Sequence, residues 1–170
     1  MDLTLIGNGI EKKVDRQDIV DFEMLLRSHP QAQEGDSMPL EHYFTNGIYV
    51  RQITIPKGTI LVGKIHKHEH PNFLLKGTVQ VATEEGVKTL EAPCFMISPS
   101  GTKRAVTALT EVVWTTIHHN PSNTQDLVKL EDEIIAKSYD EYDNFIANKL
   151  KPTFYQRCIN FVKQLKLKNK

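Results

Sequence analysis

The chain has 170 residues, 39% of them hydrophobic, enough for one core of ordinary size with appendages. Lysine plus arginine (21) equals aspartate plus glutamate (21), so no net field draws it to nucleic acid or to an anionic membrane. Cys94 and Cys158 lie far apart with no CxxC spacing, which argues against a disulfide framework and for a reducing compartment. No apolar run approaches the roughly 20 residues that span a bilayer, and MDLTLIGNGIEKK has no basic stretch followed by an apolar one. The expectation is a cytoplasmic protein with no membrane span and no nucleic-acid partner.

In chain order, DRQDIVDFEMLLRSH carries Ile19, Phe22, Leu25 and Leu26 at helical spacing, with Asp15 as N-cap and Pro30 beyond the end, and predicts a short helix. Residues 29–39 are polar and broken by glycine and proline, a loop leading into the main body. From Tyr43 the texture changes to short runs rich in β-branched and aromatic residues. They are separated by turn signals at Asn46-Gly47, Pro56-Lys57-Gly58, Lys76-Gly77, Glu84-Glu85-Gly86 and Pro99-Ser100-Gly101. Strands at such spacing, with no helix between them, predict a mainly β body, an antiparallel sandwich or barrel over about Tyr43 to His119. In the last third, Leu127, Leu130, Ile134 and Ile135 form one stripe with acids opposite, predicting a helix of three to four turns. Pro152 stops or kinks the chain after it, and beyond that proline Phe154, Cys158, Val162 and Leu165 form a further stripe beside Arg157, Lys163, Lys166, Lys168 and Lys170. The expected division is an N-terminal helix and linker over 1–42, a barrel over 43–120 and a C-terminal helical extension over 121–170.

Chemistry concentrates in GKIHKHEHPNFLLKG, residues 63–77. Residues two apart in a strand share a face, so Lys64, His66, His68 and His70 are expected together, with Lys67 and Glu69 turned to solvent. Neutral imidazoles converging in a polar cavity suit a divalent transition metal such as Zn, Fe, Ni, Cu or Mn. The plain alternative is a polar strand face with no ligand. His118 shares a strand face with Trp114 and Thr116 and is the candidate fourth ligand; His42 is a weaker one.

On these residues the β body resembles a cupin, a double-stranded β-helix barrel with two characteristic motifs. HKHEHPNFLLKG resembles the first motif, with His66 and His68 as its histidine pair and Gly77 as its closing glycine. Counting back seven residues from Gly77 reaches His70, where the family normally carries glutamate. PSGTKR, Pro99 to Arg104, resembles the second motif, with Arg104 at the family's metal histidine and Ala108 at its asparagine. The runs from Tyr43 to His70, from Glu91 to Val106 and from Val112 to Asn120 also resemble small cupin-like proteins encoded in tailed-phage genomes, which implies a host cytoplasm.

The resemblance implies a single cupin-type barrel, paired as a homodimer, with a metal centre drawn from His66, His68, His70 and His118. Losing one standard ligand and gaining a cation favours a small anionic ligand in the barrel, of which a nucleotide-like host molecule is one form. Lys64, Lys103, Arg104 and Trp114 are its candidate contacts, Arg104 because guanidinium presents a fork of donors to carboxylate or phosphate. For Arg104 the ordinary reading is a surface or inter-strand salt bridge, and for Trp114 it is core packing. The alternatives in function are a metal-dependent enzyme of the isomerase, epimerase, decarboxylase or dioxygenase kind, with His70 or His118 as base, and a dimerisation scaffold.

Overall fold

A computed structural model describes residues 14–33 and 37–151, together with 157, 159 and 161. The C-terminal basic stripe therefore falls almost wholly outside the described residues, as do Pro152 and Cys158. Helix α1, Arg16–Arg27, starts where the sequence predicts: Asp15 accepts from the Asp18 backbone N–H while Asp18 reaches back to the Asp15 N–H, closing a capping box. Its apolar stripe is used sparingly, for Ile19 is buried whereas Met24 and Leu25 stay exposed.

The body consists of ten strands: β1 Leu40–Thr45, β2 Gly47–Ile55, β3 Ile60–Val62, β4 Ile65–His66, β5 His70–Lys76, β6 Thr78–Thr83, β7 Gly86–Glu91, β8 Cys94–Ser98, β9 Ala105–Ala108 and β10 Val112–Asn120. Nine of them form a five-stranded sheet of order β1-β2-β10-β5-β8 facing a four-stranded sheet of order β3-β9-β6-β7, β4 lying outside both, and the pairings within both are antiparallel. The chain crosses repeatedly between the two sheets, and the last strands return beside the first, β10 next to β2 and β9 next to β3. That winding is the two-sheet jelly roll on which cupins are built, and neither sheet closes on itself.

Alternation along the strands puts Ile55, Leu74, Val79, Val81, Val106, Ala108, Val112 and Trp114 between the sheets as one apolar core. The interior changes character along the barrel. On β5 the inward residues run Leu74, Asn72, His70, and on antiparallel β10 they run Val112, Trp114, Thr116, His118. One end is hydrocarbon; the other carries imidazoles.

The C-terminal segment departs from the expected first helix of three to four turns. Helix α2, Leu127–Ile134, stops after two turns, and Ile135 and Ala136 form strand β11 against β4, with Ile135 opposite His66. The Lys67 N–H donates to the Ile134 carbonyl at 2.8 Å, so pairing with β4 replaces the next helical turn. Two adjacent β-branched residues lose little by leaving a helix. Helix α3, Tyr139–Leu150, comes next with Ser138 as N-cap. Tyr142 joins Ile65 and Ala136 in a small apolar cluster that seats α3 against the barrel end. No helix among the described residues is long and apolar enough to cross a membrane.

Candidate metal and anion site

Three of the histidines meet inside the barrel. His66 lies on β4, which is fixed by β11 on one side and by the Gly101 N–H donating to the His66 carbonyl at 2.8 Å on the other. His70 opens β5 opposite Ser98 of β8, and His118 sits on β10 opposite Tyr49 of β2. Three strands, β4, β5 and β10, thus converge on one point. The imidazole centroids are 4.1 Å (His66–His70), 4.8 Å (His70–His118) and 5.1 Å (His66–His118) apart, and one ring nitrogen from each lies within 4.8 Å of the others.

The protonation state suits a metal. Burial, with His70 adding to it in both cases, holds His66 well below the ordinary imidazole range and brings His118 down to about 3. Burial likewise brings His70 down to about 4, with Arg104 adding to the effect. All three rings are neutral at pH 7. His70 Nδ1 lies 3.1 Å from the His68 carbonyl, which can only accept, so the ring proton sits on Nδ1 and Nε2 presents a lone pair. That Nε2 is buried and has no hydrogen-bond partner among the described residues. A buried acceptor without a donor is costly, and a metal ion is the partner a fixed neutral imidazole is built to meet. The donor set fits a divalent transition metal.

Arg104 stands beside the triad. Its guanidinium lies 5.7 Å from the Trp114 ring centroid and donates from Nη2 to Ser98 Oγ. Among the described residues it forms no ion pair with a carboxylate, and burial brings it down to about 10, still a cation at neutral pH. The inter-strand salt bridge of the ordinary reading is absent among the described residues. Trp114 is core and wall at once: 5% exposed, its face towards Arg104 and its indole N–H donating to Asn72 Oδ1 at 3.0 Å.

The remaining candidates go elsewhere. His68, expected on the face of His66 and His70, leaves it because β4 ends at His66 and residues 67–69 turn before β5; its exposed ring meets Phe145 edge-on at 5.3 Å. Strand parity cannot be carried through a turn. Lys64 is exposed and pairs with Glu131 of α2 at 2.6 Å. Lys103 is buried, but it turns to α1 and pairs with Glu23 at 3.0 Å. His42 forms a second layer, its Nδ1 2.7 Å from the Tyr49 hydroxyl, while Tyr49 stacks on His118 at 5.9 Å. Sequence reasoning passed over Asn72 and Ser98, which pack between Arg104, Trp114 and the His70 backbone. Asn72 shares the parity of His70, and Ser98 immediately precedes the Pro99-Ser100-Gly101 turn, but neither residue type signals a site.

Fold and site together define a jelly-roll barrel of the cupin type with a three-histidine centre at one end. No family model matches the sequence, and no curated protein matches it. Solved structures match in shape, several of them cupin superfamily proteins. A salicylate 1,2-dioxygenase from Pseudoaminobacter salicylatoxidans is 13% identical, over 72% of this chain and 35% of that one, with a TM-score of 0.48. A cupin 2 conserved barrel domain protein from Salinispora arenicola is 10% identical over 57% and 87%, with a TM-score of 0.44. A putative ethanolamine utilization protein from Salmonella typhimurium is 14% identical over 47% and 67%, with a TM-score of 0.41. The fold assignment rests on the strand order, and none of these activities transfers on such likeness.

Proposed function

We propose that this chain is a binding module in which His66, His70 and His118 hold a divalent transition metal and a small anionic ligand lies between that metal and Arg104. Three neutral imidazoles leave a bound metal's charge uncompensated, and Arg104 adds another cation next to it. The observation that carries this reading is the half-buried Arg104 guanidinium, whose charge bears on His66 and His70 and which forms no ion pair with a carboxylate among the described residues. A cation drawn partly out of water without a counter-charge is unfavourable, and an anion from solution supplies what the protein does not. The resemblance to tailed-phage cupin-like proteins extends the proposal to a ligand such as a nucleotide-like host molecule, a host-cytoplasmic location and a homodimer.

The test is native mass spectrometry of the purified chain together with calorimetric titration of any anion that co-purifies. Arg104→Ala is expected to weaken binding by about 2 to 5 kcal/mol with the far-ultraviolet spectrum unchanged. Equal affinity in that variant contradicts the reading.

A further inference from the structure

Hydrogen-bond accounting around Arg104 identifies a second donor to the anion. The Trp114 indole N–H can only donate, and it donates to Asn72 Oδ1. That fixes the Asn72 amide, whose nitrogen has two hydrogens. One goes to the His70 carbonyl at 3.1 Å and the other to Ser98 Oγ at 2.7 Å. Arg104 has donors only, and its Nη2 also donates to Ser98 Oγ. The Ser98 oxygen therefore accepts twice, which uses both lone pairs. Its own proton is left over, and no residue among those described accepts it, although Ser98 is only 2% exposed.

We infer that the Ser98 hydroxyl, oriented by Asn72 and Trp114, donates to the same anion that Arg104 binds, so that the site selects an oxyanion, a carboxylate or a phosphate, able to accept from both. This rests on the anion reading above and deepens it. Arg104 supplies charge, which any small anion would satisfy. Ser98 supplies a directional O–H, which favours an oxygen lone pair at a defined position. Asn72 acts as a positioning residue: its nitrogen occupies one lone pair of Ser98 and so denies the hydroxyl an acceptor within the protein. The relay reaches the indole that also forms the wall beneath the guanidinium.

The experiment titrates acetate and inorganic phosphate into the full chain, with Zn(II) supplied in one arm and a chelator in the other. It compares the unaltered chain with Ser98→Ala, Ser98→Thr and Arg104→Ala. Emission of Trp114, the chain's one tryptophan, reports whether Arg104 stays in place. Ser98→Ala is expected to weaken both oxyanions at least about tenfold with Trp114 emission unchanged, Ser98→Thr to stay within about threefold, and Arg104→Ala to weaken them by at least about thirtyfold. If Arg104→Ala binds as well as the unaltered chain, the anion reading fails and this inference with it. If Arg104→Ala loses binding but Ser98→Ala does not, Ser98 alone is wrongly assigned. Equal weakening in Ser98→Ala and Ser98→Thr, accompanied by shifted Trp114 emission, would mean that Ser98 merely props Arg104 and would also overturn the inference. Should Ser98→Ala fail to fold, proton NMR of the unaltered, phosphate-saturated chain decides. A slowly exchanging Ser98 hydroxyl proton is expected, and its absence counts against the proposal.

Discussion

A histidine buried as a neutral ring ties stability to pH in a definite direction. His70 and His118 have folded-state values of about 4 and about 3, whereas an unfolded chain titrates near the ordinary 6.5. Between those limits the unfolded chain binds more protons, so acid favours unfolding. The contribution is fully present above pH 6.5 and is lost as pH falls towards 4, on the order of 3 kcal/mol from His70 alone. Chemical denaturation of metal-free protein should show this decline, and replacing His70 by leucine should flatten it; a flat profile in the unaltered chain would contradict the buried triad. Arg104 offers a converse test. Replacing a half-buried cation that has no carboxylate partner by an apolar side chain of similar length relieves its desolvation, so Arg104→Met is expected to raise the stability of the ligand-free chain by about 1 kcal/mol while it destroys the anion site. A loss of stability in that variant would indicate that the protein itself compensates the charge. At this scale the sequence was informative where the residue type is rare and reactive. His66, His70, His118 and Arg104 all face the barrel end, but Asn72 and Ser98 could be found only through their hydrogen bonds.

Elements explain which histidines meet. The alternation read across residues 64–70 assumes one continuous strand, but the chain pairs only Ile65 and His66 with β11 before turning, which throws His68 outward. Nothing local announces that break, because β11 comes from residues about seventy positions downstream whose own pattern reads as helix. The turns were legible since their glycines are needed. Gly101 has φ +82°, and a Cβ there would lie 2.5 Å from the Tyr142 ring that seats α3. Gly77, the glycine of the first motif, has φ +88°, and its Cβ would lie 2.2 Å from the Glu111 carbonyl oxygen. Gly77→Ala is expected to cost about 2 to 4 kcal/mol, measured by thermal or denaturant unfolding, since backbone strain and a clash with a backbone atom combine. Gly86, where a Cβ would meet nothing within 4 Å, is the control, with strain but no clash. Equal losses at the two positions would mean that the contact with Glu111 has no energetic weight.

For the molecule as a whole, winding order decided the class more firmly than any motif. The first motif lacks its glutamate and the second its histidine, yet strands placed β2-β10-β5-β8 against β3-β9-β6-β7 define the jelly roll without reference to either. What charge balance and strand count could not reveal is how the exterior is used. Phe95 and Ile97 on edge strand β8, with Leu75 on neighbouring β5, are exposed, and an uncovered apolar edge is a liability that pairing removes. The proposed homodimer predicts sedimentation at twice the 19.4 kDa chain mass at micromolar protein, and a single-chain mass there would count against it.

The central claim is that the barrel end is a metal centre, and titration of metal-free full-length chain with Co(II), monitored by its visible absorption, tests it most directly. The three neutral imidazoles predict saturation at a single equivalent per chain, with the signal lost in His118→Ala. Absence of saturable uptake by the unaltered chain, or the same uptake in His118→Ala, would contradict it.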